Sequence, residues 1–408
     1  MTSHSIGGSG PKFEPLEAWL QAEIPARQRA VQQLRDGIAG WDSSICAWVE
    51  VQPQPATGDG TLSGIPFGAK DIIETANLPT EYGSPIYKGR RGTADAAIIR
   101  QLRSAGAILL GKTHTAAFAY FTPAVTHNPR NPDHTPGGSS SGSAAAVAAG
   151  MIPLALGTQT LGSVLRPASY CGITGFKPTY GLFSMDGVLP MARSLDTLGF
   201  FTGTPRDMLA LWRALGQPVE SQADVTFGIP DPLPDIDPGM AGSFRNVVET
   251  LRNRGIPIEN LPITSMLDRL AKETRAVMFY EGARFHEARY RQYGDQLQDL
   301  AALVREGLAM SNTRYQEALG FIAESKQRIA ACFQTTPVIL SPAATGPAPK
   351  GLSSTGDPRM NAPWTALGVP AISIPMPVAG LPLGLQLTGA PGQDALLLHA
   401  AVRVAGLL

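Results

Sequence analysis

The sequence predicts an α/β fold in which helices cover both faces of a mixed central β-sheet. Two observations lead to this prediction. Segments with a helical spacing of apolar residues alternate with short apolar runs that are typical of strands. In addition, 43% of the 408 residues are hydrophobic, and 44 glycines and 35 prolines imply many tight turns between short elements. This composition indicates a compact globular protein with a large core and excludes a disordered or coiled-coil chain.

The alternating pattern can be followed along the chain. Residues 1–13 are polar and glycine-rich, which predicts a mobile tail, and residues 14–408 are expected to form a single domain. Residues 262–333 are helical in pattern and rich in Arg and Glu, so we expect a helical excursion that covers or flanks the core. The other predicted elements are a helix over 15–38, a strand over 46–51, an apolar run over 64–75, a helix over 95–105, a strand over 107–110, a helix followed by a strand over 247–258, strands over 370–375 and 383–387, and a helix over 395–404.

Charge and cysteine content limit the partners and the compartment. The chain has 33 Lys plus Arg and 33 Asp plus Glu, so it has no net charge with which to hold a nucleic acid or an anionic membrane surface. No run of about 20 apolar residues is present, which argues against a membrane span. Cys46, Cys171 and Cys332 are too widely spaced for a disulfide framework or a metal knuckle. We therefore expect a cytoplasmic protein.

Two sequence features that could suggest nucleotide binding or histidine-based chemistry do not support either. Residues 106–113 match the phosphate-loop spacing G-x-x-x-x-G-K-[ST], but the four intervening residues are Ala, Ile, Leu and Leu, which favour a buried strand over a loop around phosphates. The six histidines form no H-x-x-x-H pair, and the nearest candidates for a histidine-based serine triad, His127 and His134, are expected to form hydrogen bonds within a loop instead. We expect no metal site and no cofactor.

The chemistry is concentrated in two stretches rich in Ser and Gly, at 136–147 and 157–168. The first opens into a helix predicted over 144–149, and the second follows an apolar run, which places Ser163 on a loop after a strand. A serine nucleophile needs a base, and without a suitable histidine the remaining choice is a lysine. Lys70 lies among apolar residues, and burial lowers the pKa of a lysine as that role requires.

These residues resemble the amidase signature family and, within it, the malonamidase-like amidases. The resemblance is dense over 64–178 and looser towards the end of the chain, and Ser139 and Ser163 stand 24 residues apart, as in the family. It implies the amidase signature fold and a Ser–Ser–Lys triad. In that triad Ser163 is the nucleophile, Lys70 is the base, and Ser139 is a relay serine that follows a cis peptide bond. The remaining roles that it implies are an oxyanion hole at Thr160, Leu161, Gly162 and the Ser163 amide, and substrate binding at Gly138 and Arg166.

The chain departs from the family pattern near the nucleophile. Gln159 and Leu165 stand where many members carry Asp and Arg, so both members of a charged pair are replaced together. Leu161 replaces a frequent glycine, and a leucine would be strained there if the position required a positive φ. Arg166 has no carboxylate partner within the motif, so it pairs with a distant acid, points to solvent, or binds an anionic or carbonyl group of the substrate. Helix capping and backbone support are expected of the neighbouring serines, Ser140, Ser141 and Ser143.

Taken with the resemblance, the residues predict hydrolysis of amide C–N bonds through a covalent acyl-enzyme. The expected partner is a small-molecule amide, aryl amide or carbamate, with a homodimer as one option for the assembly. One alternative is a component similar to the A-type subunit of an amidotransferase, although the chain is neutral rather than basic and lacks the Asp and Arg described above. The other is a non-catalytic binding protein on the same fold, which only Leu161 favours.

Overall fold

A computed structural model describes residues 15–219 and 225–408, so the tail predicted over 1–13 lies outside the described residues. Within the described part, 11 strands form one sheet. The strands are β1 (Trp48–Gln54), β2 (Pro66–Lys70), β3 (Ile108–Thr113), β4 (Leu154–Gln159), β5 (Thr174–Lys177), β6 (Thr197–Thr202), β7 (Phe227–Pro230), β8 (Ile258–Leu261), β9 (Val338–Pro342), β10 (Ala371–Pro375) and β11 (Gly384–Gly389).

The sheet is mixed, in the order β1-β3-β2-β4-β6-β5-β10-β11-β9-β7-β8. Strand β2 is parallel to both of its neighbours, β3 and β4, and β7 is parallel to β8 and β9. The other adjacent pairs are antiparallel. Because β2 and β4 run in the same direction, their carboxyl ends meet at one edge of the sheet, and this is where the candidate site lies.

Helices flank the sheet, and several of them pack directly against its strands, which confirms the predicted fold class. The helices are α1 (Leu16–Gln21), α2 (Ile24–Trp41), α3 (Ala97–Ser104), α4 (Ser141–Ala148), α5 (Leu165–Cys171), α6 (Pro205–Ala214), α7 (Pro238–Asn253), α8 (Thr264–Tyr293), α9 (Asp299–Ala309), α10 (Asn312–Thr335), α11 (Ala362–Ala366) and α12 (Asp394–Leu407). The segment predicted as a helical excursion, 262–333, contains α8, α9 and most of α10. Helix α8 packs against α9 and α10 and also contacts α11, which lies outside this segment.

Two local predictions have different outcomes. The helix predicted over 15–38 is wrong as one element, because the chain is extended at Ala22 and Glu23 and Pro25 then opens α2. The strand predicted within the phosphate-loop pattern is confirmed as β3. Lys112 of that pattern is fully buried, and its amine donates to Ile73 O, Pro79 O and Thr80 Oγ1 at 2.7–2.9 Å. This amine supports backbone carbonyls rather than phosphates.

The three cysteines carry free thiols. Over the residues that the structure covers, no helix is both long enough and apolar enough to cross a bilayer.

Candidate active site

A buried lysine contacts two hydroxyl groups at the carboxyl edge of the sheet. Lys70 is the last residue of β2, and its Nζ lies 2.8 Å from Ser139 Oγ and 2.9 Å from Thr158 Oγ1. Thr158 belongs to the neighbouring parallel strand β4, and Ser139 lies just before α4. An uncharged amine in this position can accept a proton from one hydroxyl group while it donates to the other.

Burial favours this uncharged form of Lys70. The side chain is fully buried, and removal from water lowers the pKa of its amine well below the ordinary value of 10.5. The negative charge of Asp196 raises the pKa again in part. Burial therefore favours the uncharged amine that a lysine would need to act as a general base.

The serine-rich stretch before α4 is fitted closely to its neighbours. The peptide bond between Gly138 and Ser139 is cis, as the family resemblance implies. A Cβ at Gly138 would lie 2.8 Å from Thr355 Cγ2. Only glycine therefore fits there without displacing the segment around Thr355 in the connection between β9 and α11. The expected helix capping by Ser140 is wrong, because its hydroxyl instead bonds to the backbone of Thr158 on β4. The hydroxyl of Ser143 likewise donates to Leu156 O, whereas the buried Ser141 hydroxyl has no partner within the described residues.

The nucleophile candidate Ser163 lies in the loop that joins β4 to α5. Its side chain is half-buried and forms no hydrogen bond with residues 15–219 or 225–408. The side chain of Gln159 holds this loop by hydrogen bonds. Its Oε1 accepts from the backbone N–H groups of Val164 and Leu165 at 2.9 and 3.1 Å. Its Nε2 donates to Thr365 Oγ1. A neutral amide thus satisfies donors at the start of α5 where the family pattern has a carboxylate.

The backbone of the same loop has N–H groups that are free to donate. In the described part of the chain, the N–H groups of Leu161, Gly162 and Ser163 have no hydrogen-bond acceptor. Leu161 does not lie in the left-handed region, so the strain considered for leucine at this position does not arise. Gly162 is required by close approach, because a Cβ there would lie 2.5 Å from Asn361 Oδ1. Free backbone amides of this kind are what an oxyanion hole requires.

Arg166 neither pairs with a distant acid nor points to solvent, so both of these sequence-based alternatives are wrong. Its side chain is only 2% exposed, Nε donates to Thr355 O at 2.7 Å, and Nη2 donates to Gly138 O at 2.7 Å. Burial lowers the pKa of this guanidinium. Its Nη1 is buried and has no acceptor among the described residues. Arg166 thus connects the segments of Thr355 and Gly138, and its Nη1 group is left without an acceptor among the described residues.

A narrow cavity of about 20 Å³ lies over the nucleophile candidate. It continues into a larger cavity of about 570 Å³ that shares Phe121, Leu161 and Pro358 with it and is rimmed by charged side chains of both signs. The larger cavity therefore has a charged rim, whereas the wall of the narrow cavity is mostly apolar. The narrow cavity is lined by Ala119, Tyr120, Phe121, Thr160, Leu161, Ser163, Arg166, Met278 and Pro358.

Comparison with known proteins places the chain in a family. The model of the family described as "Amidase" matches residues 49–398. The chain belongs to the amidase family. It is 32% identical to the A-type subunit of the glutamyl-tRNA(Gln) amidotransferase of Desulforapulum autotrophicum, with 81% of each chain covered. It is 30% identical to the corresponding protein of Lysinibacillus sphaericus, with 95% of each covered. A crystal structure described as an amidase superposes with a TM-score of 0.84 at 25% identity, over 96% of this chain and 98% of that one.

The amidase-family site also contains residues that the sequence did not single out. Thr158 contacts the lysine, Asn361 packs behind Gly162, and Tyr120 and Phe121 line the cavity. Thr158 had a weak signal, because it is one of the two polar residues at the end of β4, within the second Gly/Ser stretch. No sequence signal marked Tyr120, Phe121 or Asn361, because only the packing of the chain brings their segments to the loop between β4 and α5.

The wall of the amidase cavity includes a strained turn. Phe118 and Ala119 have φ values of 54° and 60°, a left-handed conformation that is uncommon for residues other than glycine. Packing holds the turn in place: the Phe118 N–H donates to Tyr82 O at 2.7 Å, and the guanidinium of Arg289 on α8 lies 5.6 Å from the Phe118 ring. Helix α8 thereby helps to set the position of the following residue, Tyr120.

Among the residues that the structure describes, no group of three or more His, Cys, Asp or Glu side chains is arranged to hold a metal ion.

Proposed function

We propose that the protein hydrolyses amide C–N bonds through an acyl-enzyme, with Ser163 as nucleophile and Lys70 and Ser139 as the proton relay. The observation that carries the proposal is the hydrogen bond between the fully buried Lys70 amine and Ser139 Oγ at 2.8 Å. Membership of the amidase family supports a C–N hydrolase in general. The particular triad is the proposal made here.

The proposed reaction begins with two linked proton transfers. The uncharged Lys70 amine takes the proton of Ser139, and Ser139 takes the proton of Ser163 as the Ser163 oxygen attacks the carbonyl carbon. The carbonyl oxygen becomes an oxyanion, which the free N–H groups of Leu161, Gly162 and Ser163 stabilise. The relay then returns the proton to the leaving nitrogen as the C–N bond breaks. Water attacks the remaining ester and releases the acid and the free serine.

The proposed substrates are small amides, aryl amides or carbamates, and those with a carboxylate are favoured. The unused Nη1 of Arg166 is buried beside the cavity that Ser163 lines, and a guanidinium suits a carboxylate or carbonyl oxygen. The position of Arg166, three residues after Ser163, is the pattern by which the sequence resembles malonamidase-like amidases, and this finer resemblance is part of the proposal.

The test is a hydrolysis screen over amides, anilides and carbamates, in which release of ammonia or amine is measured. Lys70→Ala and Ser163→Ala should each abolish turnover, and Ser139→Ala should reduce it severely. Lys177→Met is the matched control, because Lys177 is also fully buried but donates to Pro178 O and Val369 O instead. A fluorophosphonate should label the wild type but not Ser163→Ala.

The pH dependence adds a second test. The value of kcat/KM should rise as Lys70 loses its proton, with a midpoint below the ordinary lysine pKa of 10.5 because the amine is buried. A midpoint at the ordinary value would contradict a buried base, and wild-type turnover by Ser163→Ala would refute the mechanism.

A second candidate is a component similar to the A-type subunit of an amidotransferase, working with other proteins in a complex. It is favoured by relatives of that name at 30–32% identity. Gln159 and Leu165 do not provide the charged pair expected of that type. Turnover of small amides by the purified chain alone would support the hydrolase. Activity only after addition of a copurified protein partner, together with charged transfer RNA, would support the second candidate.

A further inference from the structure

A buried carboxylate lies against the start of the nucleophile loop. Asp196 is 8% exposed, and its Oδ1 accepts from Thr160 Oγ1 at 2.6 Å. Its Oδ2 accepts from the backbone N–H groups of Met191 and Ala192 at 2.8 and 3.0 Å. Three donors therefore fix the carboxylate, and one of them is the first side chain of the loop that carries Ser163.

The hydrogen bond between Thr160 and Asp196 lies where two neighbouring strands of the sheet lead into the site. Strands β4 and β6 are antiparallel neighbours, and Gln159 at the end of β4 is paired with Thr197 at the start of β6. Thr160 and Asp196 are the next residue beyond each strand, so their bond joins the two segments where they leave the sheet. The far end of the loop is held by Gln159, whose Oε1 accepts from Val164 N. Asp196 holds the near end.

The carboxylate also acts on the base by its charge. Asp196 raises the pKa of Lys70, against the lowering by burial. Burial raises the pKa of Asp196 itself to about 6, while the bonds from Thr160 and the two amides lower it. The other charged or titratable groups near it are Glu281, whose charge raises the same pKa, and Tyr180 and Arg193, which line a cavity of about 240 Å³ with it. Asp196 therefore forms the hydrogen bond to the loop and, when ionised, carries the charge that acts on Lys70.

We propose that Asp196 is a positioning residue for catalysis. It fixes the loop between β4 and α5 through the Thr160 hydroxyl, and it places a negative charge near Lys70. The proposal rests on the proposed function. It predicts that the Thr160–Asp196 bond affects the chemical step rather than substrate binding, because the bond orients the loop amides that meet the developing oxyanion.

The experiment compares Thr160→Val, Thr160→Ser and Asp196→Asn with the wild type on a neutral amide over a range of pH. Thr160→Val keeps the side-chain volume and removes the hydroxyl, so kcat should fall about 10-fold or more while KM changes less than about 2-fold. Thr160→Ser should restore most of the loss. In Asp196→Asn the amide can donate to Thr160 Oγ1, so the loop contact persists while the charge is lost. The acid limb of kcat/KM should then move to lower pH, because Lys70 loses the charge that raises its pKa.

Thr202→Val is the matched control, since the Thr202 hydroxyl bonds Thr204 O at the opposite end of β6. It should leave kcat and the pH profile unchanged. Wild-type kcat and pH profile in both Thr160→Val and Asp196→Asn, with Ser163→Ala inactive, would overturn the inference and leave the proposed function intact. An equal loss in Thr202→Val with unchanged pH profiles would make the role merely structural and would also overturn it. An active Ser163→Ala would instead refute the proposed function.

Discussion

Replacement of Arg166 by methionine tests the inner framework of the site. Arg166 is the second residue of α5, and its guanidinium links Thr355 O and Gly138 O, each at 2.7 Å. Gly138 directly precedes Ser139, the proposed relay serine, so this one side chain connects α5 with the serine-rich stretch and with the loop that contains Thr355. If Arg166 only bound a carboxylate of the substrate, which is one of the alternatives that the sequence leaves open, its loss would spare neutral amides. The structure changes that expectation, because the side chain supports backbone that every substrate meets.

The size of the effect follows from the two bonds. A hydrogen bond to a charged group contributes about 1.5–3 kcal/mol, so the loss of both should lower the free energy of unfolding by about 3–6 kcal/mol. Methionine fills most of the vacated volume, which limits the additional cost of a cavity. Because Gly138 is no longer held, kcat/KM on neutral amides should fall by about 10-fold or more. On substrates with a carboxylate, loss of Nη1 should raise KM by a further 10- to 100-fold or so.

The assay combines urea unfolding with steady-state kinetics on a matched pair of neutral and acidic amides. Arg130→Met is the control, because Arg130 Nε donates to Cys171 O at 2.9 Å at the opposite end of the same helix α5. It should lose stability without loss of kcat/KM. If Arg166→Met has wild-type stability and wild-type kinetics on neutral amides, the framework role is refuted. Equal losses on both substrates would remove the carboxylate preference and keep the framework.

Two further outcomes are expected. Gly162→Ala should reduce kcat about 100-fold, because its Cβ would lie 2.5 Å from Asn361 Oδ1 and displace the loop amides, whereas Gly320→Ala, with no atom within 4 Å of the new Cβ, should keep wild-type kinetics. Burial lowers the pKa of Lys112 to about 8 and of Lys177 to about 7. The folded chain therefore binds fewer protons than the unfolded chain above these values, so the urea midpoint should rise from pH 7 to 8.5, and a fall over this range would contradict the burial argument.

The sequence determined the local elements well where they depend on near neighbours. The amphipathic spacing over 95–105 predicted α3 (Ala97–Ser104), and the apolar residues within the phosphate-loop pattern predicted β3. Both patterns reflect backbone periodicity, which is set within a few residues. The split of the first helix was missed, although Pro25 marked the start of α2. The spacing of Ser139 and Ser163, together with an apolar environment around Lys70, selected the candidate triad by resemblance.

Only the tertiary structure decided which groups meet. Strand β2 lies between β3 and β4, and this places Lys70 beside Thr158, 88 residues further along the chain. Arg166 finds its carbonyl acceptor 189 residues away at Thr355. Asp196 reaches Thr160 because β4 and β6 pair in a particular register. A buried polar group must find a partner, but the sequence near it does not say which one, since that depends on which segments the packed sheet brings together.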